Sequence, residues 1–230
     1  MSSPPETPET GERELLRAVE RGLAALGLPA DSSGSLLLYL RELEKWNAAY
    51  NLTAVRDPAE MVTRHVLDSL SPLALIDQLA ATIGSEPLRL LDVGAGAGLP
   101  GIPLAIARPQ WRVTLLDSNG KKARFLRHVQ RTLQLANVEV VEARAEAWLP
   151  EPAGSGSFPL IISRAFASLA DFVSLTAPLL ARDGRWLAMK GKVSAEELHS
   201  LPAGMHIESV HPLSVPGLRE ARNLVVVRRA

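Results

Sequence analysis

The chain of 230 residues is 47% apolar and 22% charged, an ordinary globular composition with length for one sizeable domain or a domain with an extension. Acids and bases balance to zero net charge, so overall charge predicts no polyanion partner. Cysteine is absent, which excludes disulfides, thiolate metal sites and a cysteine nucleophile and fits a reducing compartment.

No apolar run approaches the ~20 residues of a membrane span. The opening MSSPPETPET has neither the basic start nor the apolar stretch of a secretory signal, and residues 1–11 read as a disordered tail. Residues 12–27 form the first predicted helix, because Leu15, Leu16, Val19, Leu23 and Leu26 recur at helical spacing. GLPADSSG breaks it. A second helix starts near Ser35 and runs through Leu36, Leu40, Leu43 and Trp46. Asp57 is a good N-cap for a third, with Pro58 in its first turn. Residues 12–85 thus read as a helical extension.

From residue 86 the rhythm changes. PLRLLDVG is a short apolar strand, LAIA belongs to a helix, and WRVTLLDS is a second strand ending in an acid. KKARFLRHVQRTLQL is a helix and VEVVEAR a third strand. PLIISRAFAS is a fourth strand running into a loop, followed by the helix LADFVSLTAPLLA. GRWLAMKG is a fifth strand and AEELHSL a short helix. MHIESVHPLSV and RNLVVVRR are two further strands with no helix between them. Strand–helix alternation predicts an α/β fold over residues 86–230: a mostly parallel sheet covered by helices on both faces. The last pair predicts an antiparallel hairpin at one edge.

Gly94, Gly96 and Gly98 follow the first strand directly. In an open parallel sheet, ligands bind beyond the carboxyl ends of the strands. Glycine lets a ligand lie against the main chain, and the N–H groups that open the next helix, behind Pro100, favour electronegative ligand atoms. Asp117 ends the second strand, 23 residues after Gly94. An acid at such a spacing accepts hydrogen bonds from the hydroxyls of an adenosine ribose. Two cofactor classes compete. A dinucleotide site prefers G-x-G-x-x-G, whereas these glycines run G-x-G-x-G, and a dehydrogenase would need a substrate domain. S-adenosylmethionine suits the site better, with a ribose for Asp117 and an amino-acid end for the glycine loop.

NLTAVRDP, RHVLDSL, LLDVGAGAGLPGIPLA, LLDSNGKKARFLRHV and IISRAFASL together resemble the bacterial 16S rRNA guanine-N7 methyltransferase family, also called the glucose-inhibited division protein B family. The resemblance runs from about residue 35 to the C-terminus. It implies a class I S-adenosylmethionine-dependent methyltransferase fold, Rossmann-like and seven-stranded, behind N-terminal helices. It implies methyl transfer to N7 of a guanine in the 530-loop region of 16S rRNA. It also places cofactor positions on Gly94, Leu99, Ala145, Glu146 and Arg164. The expected partner is 16S rRNA or the small ribosomal subunit, met in the cytoplasm by a monomer that uses neither a membrane nor a metal.

The chemistry is consistent with that reading. Guanine N7 carries a lone pair and no proton, so its attack on a sulfonium methyl needs no general base; the chain has only to hold nitrogen, carbon and sulfur in line. After the fourth strand the chain has SRAFASL, not the Asn/Asp-Pro-Pro-aromatic motif of enzymes that methylate exocyclic amines. Phe166 is placed to stack on a guanine or to pack in the core. A strand-end arginine such as Arg164 also commonly bridges a carboxylate to backbone. His65 and Asp68 share a helix face, where capping or packing is the expected role.

Charge is uneven: ten acids face six bases in residues 1–60, and fifteen face nineteen beyond. Arg124, Arg127 and Arg131 lie opposite the apolar face of their helix, with Lys121, Lys122 and His128 beside them. With Lys190 and Lys192, and bases near Arg219 and Arg222, they predict a phosphate-contacting collar around the pocket. A small-molecule methyltransferase and a non-catalytic nucleotide- or RNA-binding module remain as alternatives.

Overall fold

The computed structural model describes residues 8–150, 158–164, 166 and 168–230. Residues 1–7 of the expected tail, and Ala165 and Ala167 of the SRAFASL segment, lie outside the described residues. Among the described residues, seven strands form one sheet: β1 (Arg89–Val93), β2 (Arg112–Asp117), β3 (Val138–Glu142), β4 (Phe158–Ser163), β5 (Leu180–Lys190), β6 (Met205–Leu213) and β7 (Arg222–Arg229). Their order is β3-β2-β1-β4-β5-β7-β6. The first five are parallel, and β7 inserts antiparallel between β5 and β6. Helical crossovers return the chain to the same end of the sheet, which keeps the early strands parallel; the short connection from β6 to β7 forces antiparallel pairing. β1 and β4 sit side by side although β2 and β3 separate them in sequence. The strand order therefore reverses beside β1, and a crevice opens there at the carboxyl ends.

Alternation along the strands divides the core in two. Leu90, Val113, Leu115, Leu160 and Ile162 point to one face, while Leu91, Val93, Leu116, Ile161 and Trp186 point to the other. Both faces are covered, so the central strands read as nearly continuous apolar runs. The first face packs against α1 (Pro8–Ala25) and α2 (Ser33–Tyr50), and against α6 (Gly101–Ala107) and α7 (Gly120–Thr132). The second packs against α8 (Leu169–Thr176), with Leu198 of α9 (Ala195–His199) alongside. The N-terminal helices thus share one core with the sheet.

Several boundaries differ from the sequence reading. α1 begins at Pro8 rather than at residue 12, so residues 8–11 of the expected tail are helical. α8 stops at Thr176 and passes through a 3-10 turn, Ala177–Leu179, before β5 begins at Leu180. Pro178 lacks the N–H that would continue the helix. Asp57 caps α3 (Pro58–Met61) by accepting the Ala59 N–H at 3.0 Å, as its position implied. A π-helical turn, Val62–Leu67, then leads into α4 (Asp68–Leu70) and α5 (Leu73–Ile83).

The helical stretch Pro58–Ile83 is long and apolar enough to cross a membrane by length and composition alone, although Glu60, Arg64, Asp68 and Asp77 keep it from being one apolar run. Its Met61, Val66, Leu70, Leu73 and Ile76 are packed inside the core.

The tightest approach in the fold lies where α6 leaves the glycine loop. The Gly101 N–H donates to Asp92 Oδ2 at 2.8 Å. A Cβ at Gly101 would overlap the Leu115 side chain and stand 2.7 Å from Asp92 Oδ2. Gly101→Ala is therefore expected to lower stability by about 1–3 kcal/mol, the usual cost of overpacking. A urea titration checks this; a midpoint equal to that of the parent chain would contradict it.

Candidate functional site

The loop after β1 is held by its own backbone. The N–H groups of Gly94 and Ala95 both donate to the Leu116 carbonyl, at 2.9 and 3.2 Å, and Gly98 and Leu99 donate to the Ala95 carbonyl at 2.7 and 3.0 Å. The Gly96 N–H donates to Asp117 Oδ2 at 2.8 Å. Gly94, Gly96 and Gly98 all adopt positive φ, of 71°, 60° and 88°, a region that side chains disfavour. From α2, the buried Tyr39 hydroxyl donates to the Ala97 carbonyl at 2.7 Å.

The glycines do different work. A Cβ at Gly98 would lie 2.5 Å from Ile102 Cγ1 and 3.0 Å from Leu126 Cδ2, so this glycine lets α6 and α7 close over the loop. A Cβ at Gly94 would meet nothing nearer than Phe166 Cε2, 4.0 Å away. It would point into open space, which makes that space the candidate site.

A cavity of about 290 Å³ opens between Gly94 and Phe166. Asp117, Ala145 and Glu146 line it, with Lys122 and Leu175. The structure therefore brings together Gly94, Asp117, Ala145 and Glu146 of the sequence-predicted residues. It does not bring Leu99 to the wall, for Leu99 is packed in the core. Asp117 Oδ2 accepts from Gly96 and Oδ1 from the Asn119 N–H at 2.8 Å. Each oxygen keeps a second lone pair for a ligand hydroxyl. A larger cavity, about 780 Å³, lies away from this site at the amino ends of β2 and β3, around Trp111 and Val138.

Arg164 follows β4 and turns toward the N-terminal helices. Its Nη1 donates to the Arg64 carbonyl at 3.0 Å and to Asp68 Oδ2 at 3.1 Å. Asp68 Oδ1 accepts from Arg222 Nε at 3.0 Å. One buried carboxylate thus ties α4 to the end of β4 and the start of β7, and Arg164 is the carboxylate-to-backbone bridge that its position allowed. His65 is buried in the π-helical turn with Nε2 2.8 Å from Thr53 Oγ1. Burial first, and then the Arg164 charge, push its pKa down to about 4. Burial likewise raises Asp92, to about 7, against the lowering effects of the Gly101 N–H and Arg164. Tyr39 is held neutral, its pKa raised by the same burial.

The predicted collar is only partly present. Arg124, Arg131 and Lys192 are exposed. Arg127 Nη1 lies 3.0 Å from Glu142 Oε2, and His128 Nε2 lies 2.5 Å from Glu42 Oε2. Lys190 departs furthest from expectation. It pairs with Glu197 at 2.7 Å and donates to the Phe166 carbonyl at 2.9 Å, so it fixes the loop that carries Phe166. Glu42, Glu142 and Glu197 all come from other elements, which a one-helix reading cannot bring near. Tyr39, Asp92 and Leu175 were not singled out from the sequence. Tyr39 read only as part of a helix, and Leu175 carried no signal beyond its helical period.

Residues 33–225 match the family model described as rRNA small subunit methyltransferase G (GidB). The chain is 52% identical over 211 residues to a protein of Pseudomonas aeruginosa named ribosomal RNA small subunit methyltransferase G, covering 91% of this chain and 93% of that protein. It is also 52% identical over 216 residues to a protein of the same name from Xanthomonas axonopodis pv. citri, covering 94% and 96%. Among solved structures, an S-adenosylmethionine-dependent methyltransferase from Aquifex aeolicus shares the fold, with a TM-score of 0.55 at 15% identity, over 82% of this chain and 97% of that one.

Asp92 and His65 give stability opposite pH dependences. Folded Asp92 keeps its proton up to about pH 7, while its ordinary value is 3.8. Its contribution is therefore complete at low pH and lost as pH rises through about 7. Folded His65 stays neutral down to about pH 4, from an ordinary 6.5. Its contribution is present above 6.5 and lost as pH falls through about 4. Asp92→Asn removes only the first. Between pH 5 and 7 the parent chain should lose stability relative to that variant by up to ~1.4 kcal/mol per pH unit. Urea titrations at several pH values check this, and a pH-independent difference would contradict it.

Proposed function

The chain belongs to the rRNA small subunit methyltransferase G family, and from that membership we propose that it methylates N7 of a guanine in the 530-loop region of 16S rRNA, in the cytoplasm. It is an S-adenosylmethionine-dependent methyltransferase. The cavity suits that cofactor, because Gly94 leaves main chain open on one side of it and Asp117 presents carboxylate oxygens for hydroxyls on another. Gly94 would take the amino-acid end, Asp117 the ribose hydroxyls, and the backbone of Ala145 and Glu146 the adenine end. When bound, the cofactor supplies an electrophilic methyl on a sulfonium sulfur.

The chemistry of the target carries the base-free part of the proposal: N7 has a lone pair and no proton to give. Asp117, held by two backbone N–H groups, keeps its remaining lone pairs for ligand hydroxyls, and Glu146 lies 3.6 Å from Arg144 at the rim. What remains for the chain is orientation, which contributes up to roughly 7–11 kcal/mol in the best intramolecular models. Phe166 is positioned for that task. Its ring packs against Phe172 with centroids 5.2 Å apart, and its carbonyl is held by Lys190. A guanine stacked on it would face Gly94 across the cavity.

Transfer of a labelled methyl group to 16S rRNA, followed by borohydride and aniline cleavage to locate N7-methylguanine, tests the proposal. The expected result is one cleavage site, at a guanine in the 530 loop. Label on an exocyclic amine, on ribose or elsewhere in the rRNA would contradict it. Gly94→Val should weaken S-adenosylmethionine binding by more than about tenfold, or ~1.4 kcal/mol, and should also cost some stability, because valine resists the positive φ at this position. Unchanged affinity in calorimetry would place the cofactor elsewhere.

A further inference from the structure

α2 ends in an exposed aromatic step. Trp46 stacks on Tyr50 with ring centroids 5.2 Å apart and planes 26° from parallel. Trp46 also meets the His128 ring, with centroids 4.9 Å apart, and Phe125, at 5.6 Å. Phe125 is buried, Trp46 is half-buried, and Tyr50 at the outer end is 40% exposed. A large apolar ring left in water next to two others has a face to offer. The step is rigid as well. The Asn47 side chain donates to the Val55 carbonyl at 3.2 Å and accepts the Thr53 N–H at 2.9 Å, which pins the turn that follows the helix.

The surroundings are basic. Glu42 pairs with His128, and Trp46, one turn further along α2, meets both His128 and Phe125, so the two helices run antiparallel here. Tyr50 therefore lies toward the start of α7, the end where Lys122 lines the cofactor cavity. By helical period, Lys121, Arg124, His128 and Arg131 share the side of α7 beside Trp46. Lys121, Arg124 and Arg131 are exposed, and among the described residues none of them is paired with a carboxylate. The acids nearby face elsewhere: Glu42 is engaged by His128, and Glu44 lies two residues from Trp46, across the helix.

We propose that Tyr50, backed by Trp46 and flanked by Lys121 and Arg124, is a stacking platform for an unpaired base of the RNA beside the target nucleotide. An aromatic face beside unpaired cations is the chemistry that holds single-stranded nucleic acid: the ring stacks on a base, and the cations contact its phosphates. This inference rests on the rRNA reading of the site. It adds a second point of attachment outside the cofactor cavity.

The test compares Tyr50→Ala, Tyr50→Phe and Arg124→Gln with the parent chain. Fluorescence anisotropy would measure binding to a single-stranded RNA oligonucleotide and to a duplex of equal length over a range of salt. Calorimetry with S-adenosylmethionine reports whether each variant keeps its fold and cofactor site. Tyr50→Ala should weaken single-strand binding by at least about fivefold, the low end for one stacked base, with its salt slope and cofactor affinity unchanged. Tyr50→Phe should bind within about twofold of the parent chain, because the ring is kept. Arg124→Gln should reduce the salt slope by about 0.7, one phosphate contact on a single strand.

Unchanged single-strand binding by Tyr50→Ala, or equal losses on single strand and duplex, would overturn the platform. So would Tyr50→Ala binding naked RNA normally yet failing on the small subunit, which would assign the step to a protein contact. Crosslinking of 4-thiouridine RNA to the parent chain keeps the test open should a variant fail to fold. Adducts at residues 45–51 support the platform, and their absence overturns it. A parent chain that binds no RNA would remove the rRNA reading itself, a result distinct from all of these.

Discussion

The site depends on how closely main chain approaches main chain at the carboxyl end of β1. Asp92 and Asp117, at the ends of adjacent strands, divide the work of holding the glycine loop. Asp92 fixes the start of α6 through Gly101, and Asp117 fixes the middle of the loop through Gly96. Glycine stands at the donor's end of both bonds, for different reasons. At Gly101 the constraint is space, and at Gly96 it is the positive φ. Burying Asp92 is costly, and the raised pKa is the sign of that cost; a neutral carboxyl under one N–H is cheaper than an unpaired charge. Gly94 is then left with its open side toward Phe166.

A second constraint sets the other wall. Asp68 receives Arg164 from the end of β4 and Arg222 from the start of β7, and Arg164 also reaches the carbonyl of Arg64. The segment that carries Phe166 leaves β4 directly after this node, and Lys190 at the end of β5 holds the Phe166 carbonyl. The N-terminal helices are thus structural partners of the site as well as cover for the sheet. Tyr39 reaches the glycine loop from the same side. Two strand ends, the π-helical turn and α2 are all anchored within a few residues of the cavity, which fixes its walls.

Much of the fold was legible in the sequence because its signals are local. Apolar runs of strand length, an acid ending the second strand and the missing helix before RNLVVVRR are each read from a few neighbours. Boundaries failed where a single residue decided them, as Pro178 does for α8. The site was legible in part. Gly94 and Asp117 follow from loop chemistry at the carboxyl edge, whereas Leu99, Ala145, Glu146 and Arg164 came from family resemblance; Leu99 proved to be core. Partnerships between distant elements were not legible. Nothing near Lys190 announces Glu197, and nothing near His128 announces Glu42, because the packing of α9 and α2 creates those pairs. A helical wheel shows which face a cation lies on, but an acid on another helix settles whether that cation is free.

The central claim is that the methyl donor lies against the main chain between Gly94 and Phe166. A crystal structure of the chain with S-adenosylhomocysteine tests it most directly. The amino-acid end of the ligand should lie beside Gly94 and its adenine beside Ala145 and Glu146. Ligand density instead in the larger cavity around Trp111 and Val138, with the space at Gly94 empty, would contradict it.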